Sequence, residues 1–323
     1  MGISPTPTIR AALFEDAVAI ANLHNRVGFH GELRDNWESL WANNPAWART
    51  DPRPSIGWVL EAEGQIVGYL GNIPLLCRYG KKTLVAAATS GFAVDPAYRG
   101  YSLLLAAAFY KQNDVDISLH TSAVEISARI YKRFKALPLP QKDYAKILFW
   151  ILRPQPFMSA VLRKVGLNST LTWLTSNIAA GLLRADIAIR NRKPSRETFG
   201  SQTQAGIRLI DVSEIGPEFD DLWSRTIDEE PRLLSYRTAE FLQWHFAGQR
   251  AKVVCCMQSA QLVGYAVVIR DDVPTLDLVR SKLVDIFVEK DEPQVLDRLL
   301  GAAYRHALSD GSHVLEMMGF PQS

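Results

Sequence analysis

Apolar and polar positions follow two different periods along this chain. Between residues 57 and 94 the apolar residues fall in short runs broken by small or polar turns: Trp58-Val59-Leu60, then Gln65 to Tyr69, then Leu84 to Val94. This pattern predicts strands, the first two joined as a hairpin. From Leu103 to Gln112 the apolar spacing changes to three and four residues, which predicts a helix. Upstream, Ile9 to Ala12 reads as a strand, and Ala17 to Val27 as an amphipathic helix opened by Glu15 and Asp16. The same series returns later as Ile207 to Ile210, Phe219 to Ile227, Val253 to Cys256, Leu262 to Tyr265, Leu283 to Val288 and Val295 to Leu308. The hairpin itself repeats, Gly64-Gln65-Ile66-Val67-Gly68-Tyr69 recurring as Ala260-Gln261-Leu262-Val263-Gly264-Tyr265, 196 residues further on. Two homologous units, each mixing strands and helices (α/β, α+β), are the simplest reading.

A length of 323 residues suits two domains. The stretch Arg190 to Gln204 is polar, holds Pro194 and Gly200 and has no buried periodicity, so it is the expected linker. The division expected from the sequence is therefore 1–155, 156–204 and 205–323. The middle segment is the chemical exception. Arg153 to Arg196 carries eight basic residues against one acid, Asp186, although the net charge of the whole chain is only +2. Its apolar positions, Phe157, Val161, Leu162, Val165, Leu171, Trp173, Leu174, Ile178, Leu182 and Leu183, predict one or two amphipathic helices. Two readings stay open for it: a helical cap on the first unit, or a peripheral contact of residues 156–193 with an anionic lipid surface or a lipid-linked substrate.

The near-neutral balance excludes the chain as a whole from the strongly basic nucleic-acid binders, so no nucleic-acid partner is expected. Cys77, Cys255 and Cys256 have neither a CxxC spacing nor histidine partners, and no metal site is expected. The first ten residues lack an apolar signal core, and no run is long enough to span a bilayer. The expected location is the cytoplasm, with attachment to the inner face of the membrane as the extension of the basic-helix reading.

The most informative stretch is Ser90 to Leu105. An apolar strand ends at Val94-Asp95-Pro96, a loop with Tyr98-Arg99-Gly100 follows, and a helix begins near Ser102. The start of a helix offers free N–H groups and the positive end of its dipole, and Arg99 adds a fork of donors, so the unit suits a pyrophosphate. These residues resemble the acyl-CoA-binding segment of the GNAT superfamily of N-acetyltransferases, whose pattern is Arg/Gln-x-x-Gly-x-Gly/Ala after an apolar strand. The hairpin at Gln65 to Tyr69 resembles that family's second and third strands, and Ser127-Ala128-Arg129-Ile130-Tyr131-Lys132-Arg133-Phe134 resembles its Ala-x-x-x-Tyr helix.

The resemblance implies a tandem of GNAT-like mixed sheets, with acetyl-CoA or another acyl-CoA as donor substrate. Backbone groups of Phe92, Ala93 and Val94 would meet the pantetheine arm, and amides of Arg99, Gly100, Tyr101, Ser102, Leu103 and Leu104 the pyrophosphate. Tyr131 would protonate the departing thiolate while an amine attacks the thioester directly. For the base, Glu125, Asp95, His120 and a carboxylate-linked water are all open, Glu125 being the choice carried forward. The acceptor is a small or lipid-linked amine, with an amino sugar or an aminoacyl envelope precursor as the first class. The cleft between the two units is its expected place. Five positions depart from the family: Ser102 and Leu104 stand where it has glycines, Val124 where many members have asparagine, and Lys135-Ala136 where it has Gly-Phe. Two alternatives follow, a binding or scaffold protein that has lost the reaction and a transferase that takes its acyl group from an acyl carrier protein.

The second copy carries Glu289, Asp291 and Glu292 where phosphate would sit, so it is expected to bind no coenzyme A. Its strand Val314 to Met318 comes so near the end that its last strands are expected to be missing. Trp37, Trp41, Trp244 and Phe246 precede the two hairpins in corresponding positions, where core packing and sugar stacking are both open.

Overall fold

Both apolar series fold into sheets, as the computed structural model of the chain shows; it describes residues 6–28, 37–121, 125–138, 146–166, 169–189, 206–227 and 232–318. Contacts divide the chain into two units, residues 1–138 with 230–236, and residues 139–229 with 237–323.

The first unit contains β1 (Thr8–Ala11), α1 (Ala17–Arg26), α2 (Ser39–Ala42), α3 (Pro45–Arg49), β2 (Gly57–Ala62), β3 (Gln65–Tyr79), β4 (Lys82–Val94), α4 (Ser102–Tyr110), β5 (Ile117–Leu119) and α5 (Glu125–Arg133). The second contains β6 (Ile147–Ile151), α6 (Pro154–Lys164), α7 (Ser169–Ile189), β7 (Ile207–Asp211) and α8 (Pro217–Thr226). After β8 (Leu233–Ser235), which belongs to the first unit, it continues with α9 (Ala239–Phe246), β9 (Ala251–Gln258), β10 (Gln261–Arg270), β11 (Arg280–Val288), α10 (Pro293–Ser309) and β12 (Val314–Met318).

The first sheet runs β1-β2-β3-β4-β5, antiparallel except for the parallel pair β4–β5, and β8 pairs with the far end of β3. The middle of β3 is buried from Ile66 to Asn72 because helices cover both faces. Ile66 and Tyr69 pack with Ile20 and Leu23 of α1, while Val67 and Leu70 pack with Leu105 and Phe109 of α4. The close seat of α4 requires a glycine at 68, since a Cβ there would come within 2.9 Å of Leu60 and 3.3 Å of Leu105. Gly264 holds the same place in the second unit, against Val295 at 3.0 Å and Leu299 at 3.2 Å of α10.

The repeat extends beyond the hairpin into an ion pair. Arg26 at the end of α1 binds the Ile66 carbonyl and Asp95, each at 2.9 Å. Arg225 near the end of α8 binds the Leu262 carbonyl at 2.7 Å and Glu289 at 3.1 Å. The units therefore share an architecture down to this side chain.

The domain boundary expected at 155 falls instead at 138. Strand β6, counted with the first unit in the sequence, pairs antiparallel with β12, giving the second sheet the order β6-β12-β11-β10-β9-β7. The edge beyond β12, where strands were expected to be missing, is thus filled by a segment from the middle of the chain. Residues Pro154–Lys164 and Ser169–Ile189 form the expected helical pair, α6 and α7, and Gln155 hydrogen-bonds Ser176 across it. No described helix is long and apolar enough to cross a membrane. The expected linker, 190–204, lies outside the described residues.

Trp41 is fully buried and Trp37 nearly so, both around Phe14 in edge-to-face contacts, with the Trp41 Nε1 donating to the Asn72 carbonyl at 2.6 Å. This is core packing, and it leaves neither indole face for a sugar. All three cysteines are buried thiols, and burial pushes Cys255 up to about 12, which keeps it protonated and inert.

Candidate active site

The site begins where β4 and β5 part. Their pairing covers Ala86, Ala87 and Ala88 of β4 against Ile117, Ser118 and Leu119. The next residues, Thr89 and His120, are joined by side chains instead of backbone, with Thr89 Oγ1 2.9 Å from His120 Nδ1. Past this fork the outer edge of β4, from Thr89 to Val94, has no strand beside it among the described residues. Its N–H and C=O groups are a ready template for an extended ligand.

A bulge bends β4 at the same place. The register with β3 shifts between Tyr69 and Gly71, and Gly91 takes φ +60. The His24 Nε2 of α1 lies 2.9 Å from the Gly91 carbonyl, and a Cβ at Gly91 would sit 3.0 Å from the imidazole. Thus α1 fixes the start of the strand segment Phe92-Ala93-Val94, to which the resemblance assigns a pantetheine arm.

Tyr131 of α5 faces this fork. It is 4% exposed, its ring lies flat on His120 with centroids 3.7 Å apart and planes 12° apart, and Phe92 lies 6.1 Å away. Tyr110 at the end of α4 completes the group, its hydroxyl 2.5 Å from His120 Nε2 and its ring stacked on Phe134. Burial raises the Tyr131 hydroxyl, and the nearby Thr89 hydroxyl takes back part of that rise. Burial also pushes Tyr110 up to about 12, with the Tyr131 charge adding to it, and drives His120 down to about 4. At neutral pH all three are uncharged, and the tyrosines hold protons they can give.

Helix α5 ends as its motif requires. The Ala136 N–H reaches the Tyr131 carbonyl at 3.2 Å and the Lys135 N–H the Lys132 carbonyl at 3.0 Å, a Schellman closure with Lys135 at φ +65. The family's glycine at this point thus has a backbone reason, and here a lysine adopts the same conformation.

Other expected residues lie apart. Glu125 is 80% exposed and paired with Arg129 one turn along α5, away from Tyr131. Asp95 is held by Arg26. His120 has both nitrogens engaged, which makes it a link between Thr89 and Tyr110 and not a free base. Val124 lies outside the described residues.

The expected pyrophosphate loop also differs from a bare helix start. Pro96–Tyr101 forms a 3₁₀ helix running directly into α4, and such a helix pairs each N–H with the carbonyl three residues back. The Tyr98 N–H binds the Asp95 carbonyl at 2.8 Å, and both the N–H and the hydroxyl of Ser102 bind the Arg99 carbonyl. Most amides in Arg99 to Leu104 are therefore already used. Arg99 and Gly100 remain exposed with open space around Gly100, and Leu104 is 43% exposed on the first turn of α4, with Tyr101 and Leu103 half-buried beside it.

In the second unit the place of Gly91 belongs to Asp285. Its carboxylate accepts from Arg237 at 3.0 Å and from the buried Tyr265 hydroxyl at 2.9 Å, and Arg237 lies over Phe287. An ion pair thus stands in the second unit where the first sets the His24 imidazole against a glycine, and Glu289 is bound to Arg225.

The buried imidazoles predict a pH dependence of stability. The unfolded chain protonates His120 below about pH 6.5, the folded chain only below about pH 4. Protons therefore favour the unfolded state in this window, and stability falls as pH falls through it. His24, His306 and His313 are shifted in the same direction by burial. Urea unfolding at pH 7 and pH 4.5 should show a loss in which His120 contributes about 1–3 kcal/mol, a part that disappears in His120→Gln.

The chain has the fold of the GCN5-related N-acetyltransferases, with two mixed sheets. Solved structures that share it include the Saccharomyces cerevisiae N-myristoyltransferase with bound myristoyl-CoA, at 12% identity and TM-score 0.56 over 98% of this chain and 74% of that one. GCN5-related N-acetyltransferases from Anabaena variabilis and Kribbella flavida match at 11% and 12% identity and TM-scores of 0.53 and 0.56. The match spans 96% and 98% of this chain, and 65% and 66% of theirs. No family model matches the sequence, and no curated protein sequence does.

Proposed function

We propose that the first unit transfers an acyl group from a pantetheine thioester, acyl-CoA in the first instance, to an amine. The observation that supports this most is the open edge of β4 ending at a fork where Tyr131 stands protonated with its ring flat on His120. A pantetheine arm laid along Phe92-Ala93-Val94 would bring its thioester to that fork. The amine nitrogen forms its bond to the acyl carbon, the C–S bond breaks, and the thiolate takes the Tyr131 proton while the amine loses one to solvent. An amino sugar or an aminoacyl envelope precursor is the acceptor class proposed. The second unit, with the Asp285–Arg237 ion pair at the corresponding place, serves as structure or as acceptor surface.

One observation favours a second donor. The 3₁₀ run that uses the amides of the phosphate loop weakens a diphosphate site and leaves the pantetheine edge intact. A carrier protein offers the same arm on a single phosphate.

The test is release of free thiol from acetyl-CoA and from a long-chain acyl-CoA, with hydroxylamine and glucosamine as trial amines. Amine-dependent thiol release is the expected result. Release only from an acylated carrier protein would move the donor to the second reading, and release from none would remove the transferase reading.

A further inference from the structure

Helix α7 is apolar on two opposite sides. Among its described side chains, from Thr175 to Ala185, Ala180 is buried, and Ser176 turns inward to Gln155 in the first turn of α6. The other side carries Ile178, Gly181, Leu182 and Ala185, which at 100° per residue share an arc of about 100°. All four are exposed, Ile178 by 69% and Leu182 by 70%, and a Cβ added at Gly181 would meet open space. A helix on the surface of a globular domain turns its polar residues outward, and one that is apolar all round needs a second cover. Helix α6 does not supply it, because α6 lies on the Ser176 side.

The charge around this face selects what covers it. From Lys146 to Ala185 the sequence holds five basic residues and no acid. Arg163 is spent on Asp277 at 3.0 Å, and Arg153 reaches the Leu308 carbonyl at 3.4 Å. Lys164 and Arg184 are exposed and have no ion pair among the described residues, and Arg184 stands with Asn177 at one border of the apolar arc. Further apolar surface belongs to the same segment: Val161 and Val165 are exposed one turn apart on α6, and half-exposed Phe149 of the edge strand β6 stacks on Phe157 at 6.2 Å. We propose that the outer face of α7 docks on a membrane that contains anionic lipid, lying in the plane of its headgroups with Arg184 and Lys164 among the phosphates. An aliphatic face bordered by long basic side chains is the make-up of such an interfacial helix. A second copy of the chain fits worse. Pairing this face with itself would set Lys164 and Arg184 against their own copies, and the segment has no carboxylate to match them. The face lies on the second unit and is available whether or not the first unit transfers an acyl group.

The test is co-sedimentation of the whole protein with vesicles of phosphatidylcholine alone and of phosphatidylcholine mixed equally with phosphatidylglycerol, beside sedimentation velocity without vesicles. Binding to the mixed vesicles, weakened by added salt and absent from phosphatidylcholine alone, is the expected result. Leu182→Glu should lower the vesicle affinity about tenfold or more, since it loses a buried aliphatic side chain and adds a repelled charge. Arg184→Gln and Lys164→Gln should each lower it about fivefold, the usual effect of one basic residue at such a surface. All three positions are exposed, so these variants should keep the circular dichroism and the urea midpoint of the parent. Equal binding to both kinds of vesicle, binding that Leu182→Glu leaves unchanged, or no binding to either would overturn the proposal. So would a dimer in sedimentation velocity that Leu182→Glu takes apart, which would assign the face to a second copy, or capture of an acidic carrier protein in place of the vesicles.

Discussion

Tyr131→Phe is expected to lower kcat by about 10²- to 10⁴-fold, the usual contribution of a positioned general acid. Donor affinity should change little. Phenylalanine keeps the flat contact with His120 and the neighbourhood of Phe92, and the ring is buried, so the fold loses one hydroxyl and little packing. Steady-state kinetics with acetyl-CoA, beside calorimetric binding of the same donor, separates the two effects. A fall in binding equal to the fall in turnover would show that the ring shapes the donor site and is not the acid.

Asp285→Ala in the second unit is expected to cost about 3 kcal/mol of stability, because it removes the carboxylate that the buried Arg237 guanidinium and Tyr265 hydroxyl share. Arg237 and Asp285 are each about four-fifths covered, and the Tyr265 hydroxyl that also depends on Asp285 is fully enclosed. Asp285→Asn should cost less, since an amide oxygen still accepts from Tyr265. Urea unfolding of both variants decides it. The contrast with Gly91 gives the result its meaning: the same position of the same fold carries a glycine bend packed against His24 in one unit and a buried ion pair in the other.

The repeat and the hairpins were legible because each rests on local spacing, whereas Tyr131 was singled out by the family resemblance alone. Gly68 and Gly264 recur for a packing reason, and Tyr131 falls six residues after Glu125, which at 100° per residue puts the two on different faces of α5. That same geometry took Glu125 out to solvent and an ion pair with Arg129. What could not be read was whatever depended on distant partners. The run Ile147–Ile151 carries no mark of its pairing with β12, over 160 residues away in the chain. Thr89 and Tyr110 belong to no motif, and their meaning appears only when the fork brings them to the two nitrogens of His120. The loop after Asp95 looked like an open helix start because Arg-Gly is common there; Pro96 at its head instead begins a 3₁₀ turn that continues into α4.

The most direct test is calorimetric titration of the whole protein with acetyl-CoA and with a long-chain acyl-CoA, beside the Arg99→Ala, Gly100→Asp double variant. Both positions are exposed, so the variant should fold as the parent does. Saturable binding of at least one thioester, abolished in the variant and retained in Tyr131→Phe, is the predicted result. Binding of neither thioester would contradict acyl-CoA as the donor.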